Sequence, residues 1–219
     1  MNTHVENYLK SIYTLSLEGN GMVTTNAIAG KLEMKASSVT DMLKKLDERG
    51  LVNHTRYQGA DLTAKGRKIA VDVIRKHRLW EMFLAEKLGF SWDEVHDIAE
   101  QMEHVVSTEL VDRLDAFLGF PTHDPHGDPI PDKEGQIAPD NLLLLCDLKK
   151  GKKAIVRGVK DHGSAFLRHL SALGLMPGQK IQLSERLEYD QTCILILLPS
   201  KKQAQISSAT AQNLLLQEL

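Results

Sequence analysis

Asn26–Gly50, NAIAGKLEMKASSVTDMLKKLDERG, sets the fold of the N-terminal part of the chain. Ile28, Ala29 and Leu32 line one face of a short helix, with Thr24-Thr25-Asn26 as its cap. Met34-Lys35-Ala36 makes a tight connection, and Ser37-Ser38 opens the next helix. Val39, Met42, Leu43 and Leu46 fall on the inward face of that helix, and Gly50 closes it. Two short helices joined by a few residues, the second polar in its first turn, form a helix-turn-helix.

Upstream, Val5, Tyr8, Leu9, Ile12, Tyr13 and Leu15 recur at helical spacing over 3–18, and Gly19-Asn20-Gly21 ends that helix. Downstream, Leu51-Val52 and the apolar residues near Leu62 flank a Gln58-Gly59 turn, a two-stranded wing. Thr63 caps a long fourth helix over about 63–88, with Ile69, Ala70, Val73, Ile74, Leu79, Phe83 and Leu84 inward, and Gly89 ends it. A fifth helix is built around His96 and a sixth spans Ser107 to Leu118. Residues 119–139, rich in Pro, Gly, Asp and His, read as a loop or linker. Beyond them KKAIVRGV, GQKIQLSERL and TCILILL read as strands, with SAFLRHLSALG a helix between the first two. The tail SSATAQNLLLQEL reads as a final short helix, and the product as a small SH3-like barrel with an inserted helix.

The net charge of −2 hides a pattern. Residues 1–76 carry a net +4, residues 77–135 a net −10, and residues 136–219 a net +4. A basic head suits a polyanion and an acidic middle suits cations. No apolar run is long enough to span a membrane, and the N-terminus lacks a secretory pattern. Cys146 and Cys193 sit in apolar runs and read as buried thiols in a reducing compartment, the cytoplasm.

The acidic middle carries the chemistry. In WDEVHDIAEQMEHVVS, Trp92–Ser107, His96, Glu100, Glu103 and His104 fall within about a quarter turn of one helix. Val95, Ile98, Ala99, Met102, Val105 and Val106 fill most of the rest, so a buried helix is expected. Crowded carboxylates and imidazoles there need a neutraliser, and a divalent ion suits O and N donors. A solvated acidic face is the alternative. His77 and Glu81 share a face of the fourth helix at i, i+4. The two helices together carry six donors, enough for two ions.

RKHRLWE (75–81), VHDIAEQMEHVVS (95–107) and HGDPIP (126–131), following a winged helix, closely resemble the DtxR/MntR family of metal-dependent transcriptional repressors. The resemblance covers most of the chain, and the C-terminal part is similar to the FeoA-like, SH3-like domain of the longer members. It implies a winged helix-turn-helix over 1–72, a helical metal-binding and dimerisation domain with linker over 73–139, and a FeoA-like domain over 140–219. The fold class is thus mainly α in the N-terminal part, followed by a small β-barrel domain, α+β overall. By the resemblance, Glu100, Glu103 and His104 form the activating site with Asn7 on the first helix. His77, Glu81 and His96 match a second or bridging site, joined in longer members by linker positions corresponding to Asp124 and His126, and by a residue near Asp161 or His162. Iron-sensing members carry Cys at the position of Glu100, and a carboxylate there favours harder Mn2+ over softer ions. Two departures stand out: Asn7 where manganese sensors have Asp, and Lys10 where the short members have Glu.

The implied function is a homodimeric, cytoplasmic repressor of metal-uptake genes, activated by Mn2+ or else Fe2+, with room for two ions per subunit and no membrane partner. Its double-stranded operator would meet the first turn of the third helix, Lys35, Ala36, Ser37, Ser38, Thr40 and Asp41. Lys44, Lys45, Arg56, Lys65 and Arg67 are candidates for phosphate contacts. Two rivals remain: a regulator sensing an organic ligand, and a di-metal carboxylate enzyme. The second lacks the Glu-x-x-His spacing of di-iron bundles, since His104 lies four residues after Glu100.

Overall fold

The computed structural model describes residues 2–19, 22–137 and 139–219, Glu18 by its backbone alone. The proposed Gly19-Asn20-Gly21 terminator therefore lies partly outside the described residues. The order is α1 (Thr3–Glu18), α2 (Thr25–Lys31), α3 (Ala36–Glu48), β1 (Val52–Thr55), β2 (Gly59–Leu62), α4 (Ala64–Leu88), α5 (Val95–Met102) and α6 (Thr108–Phe117). There follow β3 (Leu143–Leu144), β4 (Lys153–Val159), α7 (Ser164–Leu173), β5 (Lys180–Arg186), β6 (Cys193–Leu198), β7 (Gln203–Ile206), α8 (Ser208–Ala211) and β8 (Leu214–Glu218). The chain forms two compact units: Met1–His77 with Glu100–Asp112 and Pro131–Gln136, and Arg78–Ala99 with Arg113–Ile130 and Ile137–Leu219.

In the first unit Val5, Leu9 and Ile12 of α1, Ile28 of α2, Val39, Leu43 and Leu46 of α3, and Ala70 and Ile74 of α4 share one core. Fully buried side chains such as Leu9, Ile12 and Leu43 contribute roughly 1.5–3 kcal/mol each. The caps act as read: Thr24 Oγ1 accepts from Ala27 N at 3.2 Å, and Thr63 Oγ1 from Gly66 N at 3.1 Å. The start of α3 differs from the reading. It begins at Ala36 with Lys35 as cap and no side-chain hydrogen bond there, so Ser37 and Ser38 lie inside the exposed first turn. The wing pairs β1 and β2 antiparallel from Val52↔Leu62 to Thr55↔Gly59, with the Arg56 guanidinium 4.8 Å from the centre of the exposed Tyr57 ring.

Gly66 fixes how α4 leaves the wing. A Cβ there would stand 1.9 Å from the Leu51 carbonyl oxygen. Gly66→Ala is expected to destabilise the chain by about 1–3 kcal/mol, as overpacking against backbone does, read as a lowered midpoint in urea unfolding.

In the second unit six antiparallel strands run in the order β3-β8-β4-β5-β6-β7, with α7 between β4 and β5. Leu167 and Leu170 of α7 pack with Val156, Ile181, Leu183, Leu195, Ile206 and Leu214 of the sheet. Two readings are corrected here. The tail is a four-residue helix followed by strand β8, which pairs with both β3 and β4, and β7 is a strand that the sequence reading passed over. Cys193 is buried but Cys146 only half-buried. Trp92, from the segment before α5, belongs to this core and donates from Nε1 to Ser171 Oγ at 2.8 Å.

The stretch 122–130 is ordered rather than a plain linker. Asp124 Oδ1 accepts from the backbone N–H of His126 and Asp128 at 2.8 and 3.0 Å. His126 O accepts from Val159 N at 3.0 Å, which lays the loop on β4. Gly127, at φ +88°, allows the approach: a Cβ there would lie 2.5 Å from Gly158 Cα.

Candidate metal centre

The first unit brings donors from α1, α4 and the end of α5 together. Glu103, 2 % exposed, is the hub: its Oε2 lies 2.6 Å from Lys10 Nζ and 2.6 Å from His77 Nδ1. Its Oε1 is 3.7 Å from His104 Nε2. Burial alone would raise the Glu103 carboxyl. The hydrogen bond from His77 and the Lys10 charge outweigh it and hold the group below its ordinary value. Lys10 Nζ also stands 3.7 Å from Glu100 Oε1 and 3.3 Å from His77 Nδ1.

His104 is oriented from the other side. Its Nδ1 is 2.6 Å from Glu6 Oε2, so a neutral ring donating there keeps its Nε2 lone pair toward Glu103. Asn7 Oδ1, on the same turn of α1, is buried and has no hydrogen-bond partner among the described residues. A buried amide oxygen left unbonded is costly, and ligating a cation is one way to satisfy it.

The second unit assembles another set. Ligating atoms of Glu81, Asp124 and His126 all lie within 4.8 Å of one another, and all three residues are buried. His96 Nδ1 is 3.2 Å from Glu81 Oε1. The His126 ring stacks between Trp92, at 6.2 Å between centroids, and His162, at 4.9 Å. Its Nε2 donates to the Trp92 carbonyl at 2.7 Å, which leaves Nδ1 facing Glu81 Oε2 at 3.5 Å and Asp124 Oδ1 at 4.0 Å. That Nδ1 is buried with no hydrogen bond among the described residues.

Burial opposes charge on His126, but the facing Glu81 carboxylate, with Asp124 behind it, pushes its pKa up to about 9. Burial and the neighbouring charges of Glu81 and Asp128 hold the Asp124 carboxyl well above its usual range. Burial keeps His162 below its ordinary value. Arg78 braces the loop through Asp128 Oδ2 at 3.0 Å and the Pro129 carbonyl.

Of the nine residues singled out as ligands, Asn7, His77, Glu100, Glu103 and His104 belong to one unit and Glu81, His96, Asp124 and His126 to the other. One expectation is corrected: α5 ends at Met102, so Glu103 and His104 lie in the turn beyond it and not on one helical stripe. Nor is the segment wholly buried, since Val106 is 84 % exposed and the Glu100 side chain 54 %. Sequence reasoning missed Glu6, Trp92 and Arg78. Glu6 and His104 are 98 residues apart, and no local spacing could pair them.

On the nucleic-acid side, Lys35, Ala36, Ser37, Ser38, Asp41, Lys44, Lys45 and Arg56 are exposed and Thr40 half-buried, its hydroxyl donating to Ala36 O. Lys44 Nζ lies 3.5 Å from Asp41 Oδ1. No helix among the described residues is long and apolar enough to cross a membrane.

Residues 1–60 match the model of an iron dependent repressor N-terminal DNA binding domain, and residues 63–132 that of its metal binding and dimerisation domain. Residues 143–218 match a FeoA domain. The iron-dependent repressor IdeR of Mycobacterium bovis is 32 % identical over 188 residues, 80 % of this chain and 81 % of that protein. The regulator MntR of Oceanobacillus iheyensis is 35 % identical over 116 residues, 53 % of this chain and 78 % of that protein. The structure of a manganese-dependent transcriptional repressor in complex with manganese superposes with TM-score 0.86 at 34 % identity, covering 98 % of this chain and 100 % of that one. With all three segments matched in order and a relative aligned over four-fifths of its length, this chain belongs to the DtxR/MntR family of metal-dependent transcriptional repressors.

Proposed function

We propose that the chain is a Mn2+-activated repressor that binds its operator as a homodimer in the cytoplasm and controls metal-uptake genes. The observation that carries the choice of ion is the donor chemistry. Every donor in both sets is oxygen or nitrogen, five of the nine being carboxylates or an amide oxygen besides the imidazoles, and none is sulfur. Carboxylate-rich sites suit Mn2+ over softer ions. Fe2+ is the second reading, favoured by the relatives named iron-dependent.

Asn7, Glu100, Glu103 and His104 would hold one ion, with His77 beside them; Glu81, His96, Asp124 and His126 would hold another. A bound ion supplies two positive charges that neutralise carboxylates which otherwise repel. The protein residues do the rest. Glu6 and the Trp92 carbonyl each take one ring N–H, of His104 and of His126, so the other ring nitrogen, once free of its proton, would turn a lone pair toward the ion. Asn7 offers its unbonded oxygen from α1, the helix that shares a core with the recognition helix α3. Fixing α1 to α4 and the α5 turn therefore fixes the reading head. The exposed first turn of α3, with its uncapped amides, would enter the major groove, and Arg56 at the wing tip would meet phosphate. Exposed Phe117 and Phe120, at and beyond the end of α6, would offer apolar side chains to the second subunit.

The test is a mobility-shift titration on genomic duplexes with Mn2+, with Fe2+ under anaerobic conditions, and with EDTA. The expected result is retardation with Mn2+ that chelation reverses and Fe2+ supports less well. Equal binding in EDTA would remove the switch. Stronger binding with Fe2+ would reassign the ion.

A further inference from the structure

Lys10 is the residue the metal reading does not use, yet it stands at the centre of the α1 cluster. Its side chain is 17 % exposed, and its ammonium lies 2.6 Å from Glu103, 3.7 Å from Glu100 and 3.3 Å from His77 Nδ1. It projects from α1 one turn beyond Glu6 and Asn7. A cation therefore already sits among the groups that would bind one, carried by the polypeptide itself. The same carboxylate oxygen, Glu103 Oε2, is shared with His77, so the side of the cluster facing α4 is taken.

Resting on the ligand assignment above, we infer that Lys10 is the resident cation of the α1 site: it competes with the activating ion for Glu103 and restricts this side of the cluster to one divalent ion. Two consequences follow from charge alone. A divalent ion near Lys10 meets repulsion at short range, or must displace its ammonium from Glu103, so Lys10 weakens binding and sets a higher threshold. In metal-free protein Lys10 links α1 to Glu103, so part of the tether that orders the reading head is already in place.

The experiment uses the full chain and Mn2+ alone, with free Mn2+ followed by electron paramagnetic resonance, and hydrogen exchange of α1 in metal-free protein as a second readout. Lys10→Met keeps the length and removes the charge. It is expected to tighten the Glu103-dependent Mn2+ by about tenfold or more and to speed exchange of metal-free α1 amides. Lys10→Arg keeps the charge and is expected to hold wild-type affinity, which separates lost charge from lost packing. Lys10→Glu is expected to admit one further Mn2+ per chain. The inference is overturned if Glu103→Gln abolishes an ion whose affinity Lys10→Met leaves unchanged, with no extra ion in Lys10→Glu. If Glu103→Gln removes no ion from wild type or from Lys10→Met, the ligand assignment itself fails, and the inference with it. An ion that appears only in Lys10→Met upholds the competition and fails the assignment for the wild-type chain.

Discussion

Glu103→Gln is expected to lose the α1-side ion and with it Mn2+-dependent operator binding. Glu103 is nearly inaccessible, and groups from three separate segments converge on it: Lys10, His77 and His104. Changing a residue that merely orients a ligand costs roughly 10–100-fold in metal affinity, so removing a carboxylate ligand should cost about 100-fold or more. Stability should fall too, because Lys10 then loses its closest counter-charge in a half-buried place. Breaking a buried pair costs about 3–5 kcal/mol, and the lower end applies since Lys10 keeps some exposure. Mn2+ competition against a fluorescent chelator reads the first effect, and urea unfolding with EDTA reads the second. Retention of wild-type Mn2+ affinity would take Glu103 out of the ligand set.

That residue also shows what the sequence could and could not convey. The stripe from His96 to His104 drew attention to the right side chains by helical arithmetic, although the helix ends at Met102 and a turn presents two of the four. Local signals carried the N-terminal half well: Thr24 and Thr63 cap α2 and α4 where a hydroxyl precedes a periodic run. They failed where pairing is distant. Leu214–Glu218 reads as helix by composition, yet it is a strand because β3 and β4 offer it partners more than fifty residues away in sequence. β7, QAQI, lies at the sheet edge with alternating burial, and its two glutamines masked the pattern. The candidate site divides in the same way. His77 and Glu81 were legible as one turn of a helix. The Glu6–His104 and Lys10–Glu103 pairs, and the Trp92 carbonyl beneath His126, arise only when remote segments pack.

Mn2+ affinity of the Glu81–Asp124–His126 set is expected to rise with pH. His126 has its pKa pushed up to about 9, so near neutral pH it carries a proton in metal-free protein. A ligating imidazole must be neutral, and its Nδ1 is the free position because Nε2 donates to the Trp92 carbonyl. Binding therefore releases the His126 proton, and Asp124, whose carboxyl is also held high, releases its own wherever it is protonated. Each released proton steepens the dependence by about tenfold per pH unit, and the His126 part levels off above its folded pKa. Metal-free stability runs the opposite way. A histidine raised in the folded state stabilises below its unfolded value of about 6.5, and that contribution is lost as pH climbs through its folded value. A raised aspartate works in the same direction, because the folded form binds protons more readily than the unfolded chain. The gain in Tm on adding Mn2+ should accordingly be larger at about pH 8 than at about pH 6. Calorimetric titration in buffers of differing ionisation enthalpy counts the protons directly. A titration that releases none would mean that His126 and Asp124 are not the groups that meet the ion.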